Sequence, residues 1–312
     1  MSESLRARIT FGPELPEFGS WNWLGADLAR GLANDFSVTI FREEIPAVEV
    51  AVFIKFLPPE VELRAIAERS AILYCPVDFY GAAAEIDADA GRLVLCRRIV
   101  AHSRRLVRYF SSYALTAYLD HHVKYVTPTR TEPLESGPLL WVGVRSNLGP
   151  LVSWVNAREL PAELIVLTNV EHEADLHDPT RLGFQTGAGV RVERWSPEAH
   201  TDWITRCRAA LDIKGDDFRA RHKPPAKALD FLASGVPLAM NADSSSAEHL
   251  REMGFDLAEA TDVEHWLSRE YAEETARFGR TISDLLSLPR ISARWRWLLW
   301  DVLTAAGHGT NA

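Results

Sequence analysis

Short apolar runs, nearly free of polar interruption, recur along this chain, each followed by a stretch with helical spacing, and the rhythm starts twice. Residues 71–75 (AILYC), 139–144 (LLWVGV) and 163–167 (ELIVL) are of this kind. A strand with one wet face alternates apolar and polar residues, whereas a strand covered on both faces is apolar throughout. Mainly parallel sheets with helices on both sides are therefore expected. Strand–helix alternation of this sort predicts a doubly wound α/β fold.

In the first half, strands are predicted at 8–11, 36–41, 48–54, 71–75 and 99–101, with helices at 21–32, 59–68 and 104–113. Ser20 stands where an N-cap would open the first helix, whose Trp23, Leu24, Leu28 and Leu32 keep helical spacing. Residues 128–138 (PTRTEPLESGP) hold three prolines and a glycine and read as a linker. Beyond it, strands are predicted at 139–144, 163–167, 190–195, 210–213 and 237–240. The helices predicted there cover 148–156, 197–208, 225–234, 247–253, 263–286 and 291–305. The expected division is an N-terminal domain over 1–130, a C-terminal domain over 138–289 and a closing helical segment over 290–312. A chain of 312 residues suits two cores of about 150 residues each.

Composition narrows the function. A net charge of −9 argues against a nucleic-acid-binding domain, which is normally basic. Cys75, Cys96 and Cys207 form no CxxC pair and no disulfide framework, which fits a reducing compartment. No run approaches the roughly 18 apolar residues of a membrane span, and the N-terminus lacks a signal-peptide core. A cytoplasmic protein is expected, with peripheral membrane contact left open.

The most informative stretch is 214–241, KGDDFRARHKPPAKALDFLASGVPLAMN. Pro224 and Pro225 favour the first turn of a helix, whose exposed N–H groups attract anions. Lys214, Arg219, Arg221, Lys223 and Lys227 make a basic island there in an otherwise acidic chain. A diphosphate needs such an island, all the more when it leaves and its charge develops. Asp230, three residues after Lys227, shares its helix face and suits hydrogen bonds from ribose hydroxyls. Gly235 ends the helix and permits close backbone approach.

The core of this stretch, PPAKALDFLASGVPL, resembles the nucleotide-sugar motif of retaining GT-B glycosyltransferases, especially glycosyltransferase family 4. Lys227 matches the motif lysine and Asp230 its acidic position, while Ala233, Gly235 and Pro237 match the small residue, glycine and proline. Residues 139–151 (LLWVGVRSNLGPL) resemble the first strand and loop of a GT-B C-terminal domain. There the resemblance implies that Arg145 contacts the donor diphosphate, with Ser146 and Gly149 offering further donors. Two features depart from the pattern. His222 stands eight positions before Asp230, where the family usually has an acid, and no lysine follows Arg145.

The resemblance further implies two Rossmann-like domains facing a central cleft, and a last helix that crosses back to the N-terminal domain. The substrate would be a nucleotide-diphosphate sugar, UDP or GDP in the first instance, with no tightly bound cofactor and no metal. Its partner would be a carbohydrate, lipid-linked or small-molecule acceptor. In the N-terminal half, Gly19 and Ser20 lie in the loop after the first strand, the place of an acceptor or diphosphate loop. Asp78 and His102 follow predicted buried strands, at the sheet edge where α/β sites form, and are the candidate catalytic residues. His121 and His122 are not expected to bind metal, because adjacent side chains diverge on an extended chain. The functional expectation is a metal-independent retaining glycosyltransferase. A non-catalytic nucleotide-sugar-binding or interaction protein and a nucleotide-sugar 2-epimerase are the alternatives.

Overall fold

A computed structural model describes residues 6–305 and residue 307. Residues 1–5 of the stretch read for a leader, and the end of the segment expected over 290–312, lie outside the described residues. The chain divides into two compact units. The first comprises Met1–His122, His222–Pro224 and Leu286–Ala312, and the second Val123–Arg221 and Pro225–Leu285.

In the first unit, β1 (Arg8–Gly12), β2 (Ser37–Ile40), β3 (Val50–Ile54), β4 (Ala71–Cys75), β5 (Arg98–Ala101) and β6 (Thr116–Tyr118) form one parallel sheet. Its order is β2-β1-β3-β4-β5-β6. β3 is buried at every position, as its unbroken apolar sequence requires of a strand covered on both faces. Burying such side chains contributes about 1.5–3 kcal/mol each. The helix Leu288–Ala305 belongs to this unit: Trp295 is buried with its ring 6.5 Å from that of Phe11, and Trp300 lies 5.3 Å from Phe36. Arg294 and Arg296 pair with Asp120 and Asp35 at 2.7 and 3.1 Å.

The first helical region differs from the sequence reading. It runs as a turn at Gly19–Trp21, a π-helical segment at Asn22–Ala26 and an α-helix at Asp27–Leu32. Ser20 therefore lies inside the first turn, and the capping position falls to Phe18 without a side-chain cap. The wider π turn is tied down from within the unit. Trp23 Nε1 donates to the carbonyl of His122 at 2.9 Å, and the His122 ring meets the Asp27 carboxylate at 3.0 Å.

In the second unit, β7 (Leu139–Val142), β8 (Leu164–Thr168), β9 (Val190–Arg194), β10 (Ala209–Asp212), β11 (Leu238–Met240) and β12 (Ala258–Glu259) form a second parallel sheet. Its order is β12-β11-β10-β7-β8-β9. The edge strands β6 and β12, of three and two residues, carry no apolar run that would mark them in the sequence. The linker expected at 128–138 and the preceding residues from Val123 lie within this unit. Thr127 N donates to Ser234 Oγ at 3.1 Å, Thr129 Oγ1 to Ala233 O at 2.8 Å and Arg130 N to Ser234 O at 3.0 Å. Prolines there signal a chain without regular structure, which still packs through its main-chain groups.

Candidate functional site

In the second sheet the succession of strands reverses between β7 and β10, with β8 and β9 on one side and β11 and β12 on the other. Connections leaving such a pair diverge, and the crevice beyond their carboxyl ends is where doubly wound sheets bind ligands. The turn after β7 forms a short 3-10 helix, Arg145–Asn147, that leads into the helix Leu148–Asn156. After β10 comes the helix Ala226–Ala233, with Lys227 in its first turn. Lys227 Nζ donates to the carbonyl of Val142, the last residue of β7, at 2.6 Å, and lies 5.5 Å from the centroid of the buried Trp141 ring. The ammonium is thus anchored at the switch point itself. Ser146 is exposed in the turn, and no atom outside its chain neighbours would touch a Cβ on Gly149.

Other residues expected to contact a donor make different contacts. Arg145 is ion-paired with the buried carboxylate of Asp175, which Arg181 Nε also meets at 2.9 Å. These two guanidinium hydrogen bonds hold the Asp175 carboxyl below its ordinary range. Arg145 therefore fastens the turn after β7 to the Ala174–His177 segment. Asp230 is fully buried, and its Oδ1 accepts from the main-chain N–H of Lys124 at 2.7 Å. Burial raises its carboxyl to about 7, against hydrogen bonds from the N–H groups of Lys124 and Tyr125. With no surface open to solvent, Asp230 holds its own chain segment and presents nothing to a ribose. Gly235 adopts φ +71, and a Cβ there would stand 2.8 Å from Arg130 N and O. Its close approach is again to the chain itself.

Two members of the basic island are ion-paired within the unit: Lys214 with Asp212 at 2.8 Å and Arg221 with Asp243 at 3.1 Å. Lys223 is half-buried, in the stretch His222–Pro224 that belongs with the first unit. His222, eight positions before Asp230, is buried with its ring 5.6 Å from Tyr109.

The first sheet has its own reversal between β1 and β3. Gly19 and Ser20 open the helical region after β1, Gly19 exposed and Ser20 half-buried. Asp78 follows β4 in a left-handed conformation, φ +51, and His102 follows β5 directly. Their side chains approach to 3.9 Å, Asp78 Oδ1 to His102 Nε2, so the fold brings the two catalytic candidates together. Burial drives His102 down to about 4; Asp78 opposes this, while the charges of His222 and Lys55 reinforce it. His121 is held near 3, by burial first and then by His102 and His122, against Asp78 and Asp120. At neutral pH this crevice holds neutral imidazoles beside a carboxylate, able to accept or donate a hydrogen bond to a hydroxyl.

Two residues of this crevice escaped the sequence reading. One is His121, which comes shortly after β6, a strand with no apolar run to mark it. Lys55 follows the buried β3 directly, and the rule that singled out Asp78, a polar residue just beyond a buried strand, applies to it equally.

No family model and no curated protein matches this sequence. Among solved structures it is similar to AviGT4, a glycosyltransferase involved in avilamycin A biosynthesis, with 14% identity, a TM-score of 0.61 and coverage of 96% of this chain and 98% of that one. Sucrose-phosphate synthase from Thermosynechococcus elongatus aligns with 12% identity and a TM-score of 0.66, over 96% and 100% of the two chains. WaaG, a glycosyltransferase involved in lipopolysaccharide biosynthesis, aligns with 12% identity and a TM-score of 0.58, over 98% and 100%. At these identities the likeness is one of fold, and the fold is that of the GT-B glycosyltransferases. Among the described residues no helix is long and apolar enough to cross a membrane.

Proposed function

We propose that this protein is a glycosyltransferase that moves a sugar from a nucleoside-diphosphate donor, UDP- or GDP-linked, to an acceptor hydroxyl, with retention and without metal. The observation that carries this is Lys227. Its ammonium is anchored on Val142 O at the switch point of the second sheet, in the first turn of a helix whose N–H groups face the same way as its dipole. Lys227, those N–H groups and Ser146 bind the diphosphate and stabilise the charge it gains on leaving. In the first unit, Asp78 and the neutral His102 hold the acceptor hydroxyl through hydrogen bonds, with Gly19 and Ser20 supplying main-chain and hydroxyl contacts. The acceptor is a carbohydrate, lipid-linked or small-molecule hydroxyl compound.

The test is calorimetric titration of UDP, GDP, ADP and dTDP, without metal, into wild type and Lys227→Ala. One nucleotide should bind selectively, and its affinity should fall at least tenfold in the variant, about 1.4 kcal/mol. Binding of none of the four would reject the reading.

A second reading, donor binding without transfer, draws support from the commitment of Arg145 to Asp175 and the burial of Asp230. Turnover of the bound nucleotide-sugar in the presence of acceptors would exclude it.

A further inference from the structure

Among the described residues, the non-glycine positions with positive φ are Lys55, at +69, and Asp78, at +51. Such conformations are uncommon for residues with a Cβ, and they concentrate at binding sites. These two follow adjacent strands, β3 and β4, at the carboxyl edge of the first sheet. They also fix one another. Lys55 N donates to Cys75 O at 2.8 Å, and Lys55 Nζ donates to the carbonyls of Val77 and Asp78 at 3.4 and 3.2 Å. The buried Tyr74 hydroxyl donates to Lys55 O at 2.9 Å.

The strained lysine stands at the reversal between β1 and β3. Its ammonium lies 4.7 Å from the centroid of the Phe18 ring, from the loop after β1, and 5.9 Å from that of Phe56. Phe18 and Phe56 meet edge to face at 6.0 Å, and Phe56 meets Phe79 at 5.4 Å. All three rings are partly open to solvent. The result is a cation on an aromatic wall beside the Asp78–His102 pair. An apolar wall lowers the local dielectric and strengthens the pull of the ammonium on an anion.

We propose that Lys55 selects the acceptor, binding a phosphate or carboxylate carried by a ring compound that lies on the Phe18–Phe56–Phe79 wall, with its reactive hydroxyl at Asp78 and His102. This rests on the transferase reading and adds the acceptor's class to it. A lysine suits the task because a compact, hydrated point charge needs no fixed bidentate geometry. His102 is neutral near pH 7, lowered by burial first with Lys55 among the charges that add to it, so it offers the acceptor hydroxyl a neutral partner beside the ammonium.

The experiment titrates glucose, glucose 6-phosphate, glucuronate and inorganic phosphate into wild type, Lys55→Met and Lys55→Arg, with nucleoside diphosphate present. Binding is read from the imidazole NMR signals of His102. At least one anionic probe should bind tenfold or more tightly than glucose in wild type. That preference should vanish in Lys55→Met and persist in Lys55→Arg. Phosphate against carboxylate is decided by which anionic sugar responds. A preference that survives Lys55→Met, or the absence of saturable binding by every anion, overturns the proposal. So does a Lys55→Met variant that loses glucose and anion binding equally, as a brace for the Asp78 loop would. Nucleotide titrations are scored separately: nucleotide binding without anion binding removes this proposal alone, and failure of all nucleotides removes the transferase reading.

Discussion

Asp230 has the most to say about pH at the scale of one residue. Its carboxyl is raised from 3.8 to about 7 in the folded protein, while the unfolded chain ionises it near the ordinary value. The native state therefore binds the extra proton between about 4 and 7, and stability from this group falls as pH rises through that window. Asp230→Asn keeps an oxygen for the Lys124 N–H and removes the buried charge. The variant should match wild type near pH 4 and exceed it by about 2 kcal/mol at pH 8, less than the full shift because the new amide has donors to satisfy. Urea melts at the two pH values measure this. Equal stability at pH 8 would mean that the carboxylate is well solvated there.

Elements in the second unit are held at close range by small residues. Gly279, in the helix Arg269–Leu285, faces the helix Ala226–Ala233 so closely that a Cβ would overlap the carbonyl of Leu232. That obstacle is backbone, so one of the two helices must shift. Gly279→Ala should cost about 1–3 kcal/mol in denaturant unfolding. It should also weaken nucleotide binding, because the second helix carries Lys227. A variant as stable as wild type would show that the pair has room to slide. The segment from Lys124 to Arg130 works at the same scale: laid against the end of the Ala226–Ala233 helix, it donates to Asp230 Oδ1, the Ser234 carbonyl and the Ala233 carbonyl.

Across the whole molecule, buried histidines govern the response to acid. His102 is lowered to about 4, and His121 and His200 to about 3, burial being the first cause in each. All three are neutral in the folded chain and take a proton near 6.5 once unfolded, so their contribution to stability is lost as pH falls below about 6.5. Asp230 acts with the opposite sign over much of the same range. In the first unit both histidines lose stability on acidification, about 1.4 kcal/mol per pH unit each at most between about 6 and 4, whereas in the second His200 and Asp230 oppose one another. The first unit should be the more sensitive to mildly acidic pH. His200 offers the cleanest control. It is buried near the rings of Tyr125 and Phe231, and neither of its nitrogens has a hydrogen-bond partner. His200→Leu, close in volume, should shift the acid midpoint downward; an unchanged midpoint would assign the acid sensitivity elsewhere.

The two sheets were legible in the sequence because a parallel strand covered on both faces must be apolar throughout. Ala71–Cys75 and Leu139–Val142 stand where their apolar runs put them. The helix Ala226–Ala233 was legible too, from its prolines before and its glycine after. Local pattern could not reveal β6 and β12, which are short edge strands paired on one side and need no apolar run. Nor could it assign partners. Asp230 faces a helix neighbour, Lys227, by spacing, yet its carboxylate is held by Lys124, 106 residues away. The resemblance implies a phosphate contact for Arg145, and the fold pairs it with Asp175, 30 residues on. The left-handed turn that lifts Lys55 onto Phe18 appears in no periodicity. Periodicity reports which face of an element is covered, a property of neighbours along the chain. Which carboxylate meets which donor depends on segments brought together only when the sheets assemble, and that was decided by the tertiary structure.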